Sequence, residues 1–176
     1  MRDTIARQFD VDKDSVKMDV EPGTGSYRIG VITFKVKDGK SLDLAKLHAD
    51  LKATRLSGKT RSAVNYFEIT ATGEVAVSGE DTLLKVKGTT QQFALGEDPK
   101  AKLKEGEKSP FQRLRDALAK GEKVTSVTGR VQGWSGGWPD VLRALPGEPE
   151  KGEKEAEKPA VKKPPLLIVT DFQTAK

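Results

Sequence analysis

Asp10, Asp12, Asp14 and Glu21 fall at the first, third, fifth and twelfth positions of the run from Asp10 to Glu21. At those positions a calcium-binding loop places hard carboxylate oxygens around its ion. The run departs from such a loop in three ways. The sixth position, where glycine makes the sharp turn, is Ser15, and the eighth, normally apolar, is Lys17. Pro22-Gly23 then follows at once, which excludes an exiting helix. Val16, Met18 and Val20 alternate with Lys17 and Asp19, the period of a half-buried strand. The run is expected to be an acidic turn that starts a hairpin, with calcium as the competing reading.

A second constellation is Ala53-Thr54-Arg55-Leu56-Ser57-Gly58-Lys59-Thr60, a relaxed phosphate-loop pattern with Ala in place of the first Gly. Phosphate capture needs a strand before the loop and a helix after it, so that backbone N–H groups converge on the anion. Here a helix precedes and a strand follows, so Gly58 reads as a helix-terminating glycine and no cofactor is expected. His48 is the single histidine and lies one turn after Leu44, beside a leucine stripe. It reads as a helix-edge residue without a catalytic role. Lys52, Arg55, Lys59 and Arg61 make the densest basic patch, which without interleaved aromatics reads as a solvated helix end. Trp134 and Trp138 bracket Ser135-Gly136-Gly137 with Arg130 nearby. These three residues are the candidate partner surface, since indole rings on a glycine-rich loop can grip or stack a ligand. The competing reading is that the rings cover the open end of a small sheet.

Composition removes whole classes of chemistry. The 176 residues contain no cysteine, which excludes disulfides, thiolate metal sites, iron–sulfur clusters and cysteine nucleophiles. One histidine excludes a multi-histidine metal site within one chain. None of the remaining motifs assembles a nucleophile, a base and an orienting group, so the expectation is a binding protein and not an enzyme. The net charge of +5 is spread along the chain with acids between the bases, unlike the concentrated positive face of a nucleic-acid binder. A protein partner is the first expectation and single-stranded nucleic acid the alternative. No apolar run approaches the roughly 20 residues that span a bilayer. The segment Met1-Arg2-Asp3-Thr4-Ile5 lacks a signal peptide's apolar stretch, so the sequence as written reads as cytoplasmic, and as exported if the true start lies upstream.

The elements that would position these residues follow from periodicity. Residues 2–9 suit a short helix and residues 15–37 a hairpin, its second strand apolar on both faces and so expected to be central. Ser41 is the expected N-cap of a helix whose stripe is Leu44, Leu47 and Leu51, with Asp43 in its first turn. Val64 to Val77 reads as a strand with a bend at Thr72-Gly73, followed by strands at 82–86 and 90–95. Residues 96–108 are a polar connector. Ser109 as cap, Pro110 at the first helical position, the stripe Phe111, Leu114 and Leu118, and Gly121 at the end give the strongest helix signal. Residues 124–131 form a strand, and 138–145 a short helix. Residues 146–165, with five prolines and the run KGEKEAEK, read as a disordered loop. Residues 166–172 are a closing strand, which must pair with something already built, most simply 124–131.

The strand Val31-Ile32-Thr33-Phe34-Lys35-Val36, the Gly39 turn, the helix from Leu44 to Leu51 and the later Glu68-Ile69-Thr70-Ala71-Thr72-Gly73-Glu74-Val75-Ala76-Val77 together resemble the heavy-metal-associated domain of metal chaperones. That resemblance implies a ferredoxin-like α+β sandwich. The family binds soft metal through Cys-x-x-Cys at the start of the helix, where this chain reads Lys40-Ser41-Leu42-Asp43-Leu44, so no ligand is carried over, and a metal-binding protein of this type that has lost its thiolate ligands stands as a further alternative to the binding module. The pair of segments Val124 to Val131 and Leu167 to Phe172 resembles part of an OB-type barrel. The expected fold is therefore α+β. Residues 1–96 form an antiparallel sheet with helices on one face, 97–108 connect, and 109–176 add a helix and a small OB-like β unit interrupted at 146–165.

Overall fold

The structure, a computed structural model, describes residues 2–22, 28–53, 64, 66–98, 102–131 and 164–175. It combines helices and strands in sheets that are antiparallel but for one strand pair. By their internal contacts the residues fall into two compact units, one of residues 1–62 with 88–90, the other of residues 63–87 with 91–176.

In the first unit, helix α1 (Arg2–Gln8) leads into strand β1 (Val11–Pro22), which pairs antiparallel with β2 (Arg28–Val36). Helix α2 (Leu44–Ala53) follows. The expected hairpin is present but begins earlier than Ser15. Its register shifts between Asp12 and Lys17, where Ser15 Oγ donates to Asp12 O and accepts from Lys35 N. The buried side chains of this unit are Ile5, Val11, Val16, Leu44 and Leu47. Two features of this unit differ from the sequence expectation. Among the described residues β2 has one strand partner and is not central. The α2 cap is Asp43 and not Ser41, because the Asp43 carboxylate accepts the Lys46 N–H at 2.9 Å while its carbonyl accepts from Leu47.

In the second unit, five strands close into a barrel: β3 (Glu68–Ser78), β4 (Asp81–Val86), β5 (Gln92–Gly96), β6 (Val124–Val131) and β7 (Leu166–Thr174). Their order around it is β3-β4-β5-β7-β6, with β6 returning to β3. All neighbours are antiparallel except β5 and β7. Residues 166–172 pair with 124–131, as the sequence requires of a closing strand. Residues 68–96, grouped by pattern with the N-terminal hairpin, supply three of the five strands.

Closure depends on a corner in β3. Residues 68–72 pair with β6 and residues 73–78 with β4, so the strand changes partner at the expected bend, Thr72-Gly73. Gly73 allows the two strands to meet, since a Cβ there would lie 2.0 Å from the Lys85 carbonyl oxygen. Inside the barrel are Ala71, Leu84, Phe93, Leu95, Val127, Val131, Leu167 and Val169, with Thr82 as a buried hydroxyl.

Helix α3 (Pro110–Ala119) joins β5 to β6 and packs against β6 and β7. Its start is the predicted one. Ser109 Oγ accepts the Gln112 N–H, and the Gln112 side chain accepts the Ser109 N–H. This reciprocal pair satisfies two of the backbone donors that a helix N-terminus leaves open. The buried face is shifted from the predicted stripe: Leu114 and Ala117 are buried, whereas Phe111 and Leu118 are half-buried. Among the described residues no helix is long and apolar enough to cross a membrane.

Candidate binding surface

The candidate surface residues of the sequence have different fates. Arg130 is exposed on β6, directly opposite Glu68 on β3. Its Nε donates to Glu68 Oε2 at 3.3 Å, and its guanidinium lies 4.4 Å from the centroid of the Tyr66 ring. A guanidinium on an aromatic face is held by the ring quadrupole and by the flat fit of the two planes. Next along the same two strands, the hydroxyls of Thr70 and Thr128 meet at 2.8 Å. Glu68 offsets part of the Arg130 charge, which weakens its attraction for an incoming phosphate. Trp134 and Trp138 lie outside the described residues, as do the phosphate-loop pattern from Thr54 onward, Arg55, Lys59, Arg61, the helix expected at 138–145 and most of the loop at 146–165.

The acidic run is drawn out along β1. Asp12 and Glu21 stand about 30 Å apart at the rise of a strand, whereas calcium ligands converge to roughly 2.5 Å from one point. Asp10 pairs with Lys40 at 3.8 Å, and Asp12 Oδ1 accepts the Asp14 N–H at 3.1 Å. Among the described residues no group of three or more His, Cys, Asp or Glu side chains is placed to hold a metal ion. His48 is half-buried on α2. The described residues line an open depression of about 340 Å³ between Asp12-Lys13 and Lys35 to Asp38. Its walls carry lysines and aspartates, with Lys35 and Asp38 paired at 3.8 Å.

A surface that sequence reasoning missed lies on the outside of the barrel. Leu84, Phe93, Leu95 and Leu167 point inward, none more than 5 % exposed. Their chain neighbours therefore face outward, because side chains alternate along a strand. Cross-strand register aligns Ala76 with Leu83, Leu83 with Ala94, and Ala94 with Leu166. The result is an outward apolar row over β3, β4, β5 and β7, flanked by Ile168. All of these residues but the exposed Ala76 are half-buried. Leu166 lies across Gly96, whose missing Cβ leaves it room: a Cβ there would come within 2.9 Å of Leu166 Cδ1. Beside the row runs a polar one, Glu74 opposite Lys85 and Lys85 opposite Gln92. The signal in the sequence is the doubled apolar pairs Leu83-Leu84 and Leu166-Leu167, each with one residue in excess of what a single face needs.

Comparison with protein-family models, with curated proteins and with solved structures finds no significant match to this chain.

Proposed function

We propose that this protein is a non-catalytic binding module whose barrel is of the OB type, and that the barrel holds a protein partner on the outer surface of β4 and β5. The OB reading is supported by the strand order. Numbered within the barrel, the first strand pairs with the second and fourth, the third runs parallel to the fifth, and a helix joins the third to the fourth. OB barrels take their ligands on the face of the second and third strands and on the adjoining loops. The observation that carries the choice of a protein partner is the outward row Ala76, Leu83, Ala94 and Leu166, with balanced charges beside it. A nucleic-acid face would present cations and exposed rings there. A ferredoxin-like arrangement and a thiol-free metal site draw no support from the pairing of β3 with β4 and β6.

The test is a photo-crosslinking amino acid at position 83 in the full chain, with the same group at exposed Glu105 as control. A discrete adduct at position 83 that is absent at 105, and that disappears when Ala94→Asp is added, is the expected result. Equal crosslinking at both positions refutes the reading. A second reading, single-stranded nucleic acid, rests on the Arg130–Tyr66 stack. It predicts quenching of intrinsic fluorescence by oligonucleotides, weakened by salt and lost in Arg130→Ala.

A further inference from the structure

We propose that β1 pairs with β1 of a second copy of this chain, joining two hairpins into one four-stranded antiparallel sheet. The β1–β2 sheet has two strands, so one side of β1 has no strand partner among the described residues. An open strand edge is a template for pairing. Along the outer half of β1, Met18 is 46 % and Val20 54 % exposed. They share one face with Val16, which is buried at the base of the hairpin. Lys17 and Asp19 are exposed on the opposite face. An apolar face that continues from a buried base to an exposed end is the kind of surface that a second sheet edge extends.

Register selects the partner. Two copies of one strand pair antiparallel about a two-fold axis perpendicular to the sheet, and this keeps each residue on its own face. Side-chain alternation then requires the axis to pass through a residue. Centred on Lys17 it sets lysine against lysine, and centred on Asp19 it sets aspartate against aspartate. Centred on Met18 it sets Lys17 against the second copy's Asp19, twice by symmetry, with Met18 on Met18 and Val16 on Val20. That register alone makes both faces complementary, opposite charges on one and contiguous apolar side chains on the other. Within one copy Lys17 and Asp19 stand opposite uncharged Thr33 and Val31, so their charges are free to set the outer register.

Sedimentation of the full chain over a wide concentration range tests this. Wild type is expected to form a dimer. Lys17→Asp and Asp19→Lys each place two like-charged pairs at the junction and are expected to weaken dimerisation at least about tenfold. The double variant K17D/D19K restores opposite charges and is expected to dimerise as wild type does. Circular dichroism confirms that all the variants fold. A monomeric wild type, single variants that dimerise undiminished, or a folded double variant that stays monomeric each overturn the proposal. This result is independent of crosslinking at position 83, which reports on the barrel.

Discussion

Replacing Gly73 by alanine is expected to open the corner on which barrel closure rests. The added methyl would meet the Lys85 carbonyl oxygen at 2.0 Å, the Lys85 carbonyl carbon at 2.9 Å and the Val86 Cα at 3.1 Å. All three are backbone atoms, so no rotamer change relieves the contact. β3 and β4 must separate by more than about 1 Å to reach ordinary van der Waals distance. That displacement strains the Lys87 N–H to Thr72 carbonyl bond, now 2.9 Å, and the Gly73–Val86 pairing beside it. Overpacking costs about 1–3 kcal/mol and each weakened bond about 1 kcal/mol, against about 0.4–1 kcal/mol gained from a stiffer unfolded chain. The net expectation is a loss of about 2–4 kcal/mol. With a urea slope of roughly 2 kcal/mol per molar, the midpoint falls by about 1–2 M. Urea unfolding followed by far-ultraviolet circular dichroism measures the shift. Hydrogen exchange at the Lys87 amide shows whether the loss begins at the corner. Gly30→Ala is the control, since its Cβ would meet only Met18 Cε at 3.7 Å. A Gly73→Ala protein with the wild-type midpoint and intact Lys87 protection would refute the corner.

The barrel interior and helix α3 give two more tests. Thr82 is 1 % exposed, and its hydroxyl has no hydrogen-bond partner among the described residues. Thr82→Val, close in shape, is expected to raise stability by about 1–2 kcal/mol because it removes a desolvated polar group; unfolding at a lower urea concentration than wild type would contradict this. On α3, the Lys108 ammonium hydrogen-bonds Asp116 at 2.6 Å and holds its carboxyl below the usual carboxylate range, the charges of Lys108 and Lys120 adding to this against some desolvation. A carboxyl with a lowered folded pKa stabilises the fold above its unfolded pKa, and that stabilisation fades as pH falls through the folded pKa. The stability gap between wild type and Asp116→Asn is therefore expected at neutral pH and should close in acid. Urea midpoints across that range decide, and a gap independent of pH would remove Asp116 from the account.

The sequence by itself determined what is local. Ser109, Pro110 and Leu114 specify a capped helix, because each cap acts within one turn of its own residue. The alternation from Val16 specifies a strand over a calcium loop, and Thr72-Gly73 marks the corner. Residues 166–172 had to pair with an existing strand, and did so with 124–131. Asp43 took the cap expected of Ser41 because the helix starts at Leu44, which puts Asp43 at the boundary position whose carboxylate reaches the Lys46 N–H.

Only the tertiary structure decided which strands meet. Nearness in sequence groups Arg130 with Trp134 and Trp138, and it cannot foresee that the register of β3 on β6 sets Arg130 opposite Glu68, with the Tyr66 ring against its guanidinium. Leu83-Leu84 and Leu166-Leu167 show the reason. Two adjacent leucines satisfy the strand period in either phase, so local pattern is silent on which one enters the core. Closure of the barrel turns Leu84 and Leu167 inward and leaves Leu83 and Leu166 outside, because side-chain direction is inherited from partners far away along the chain.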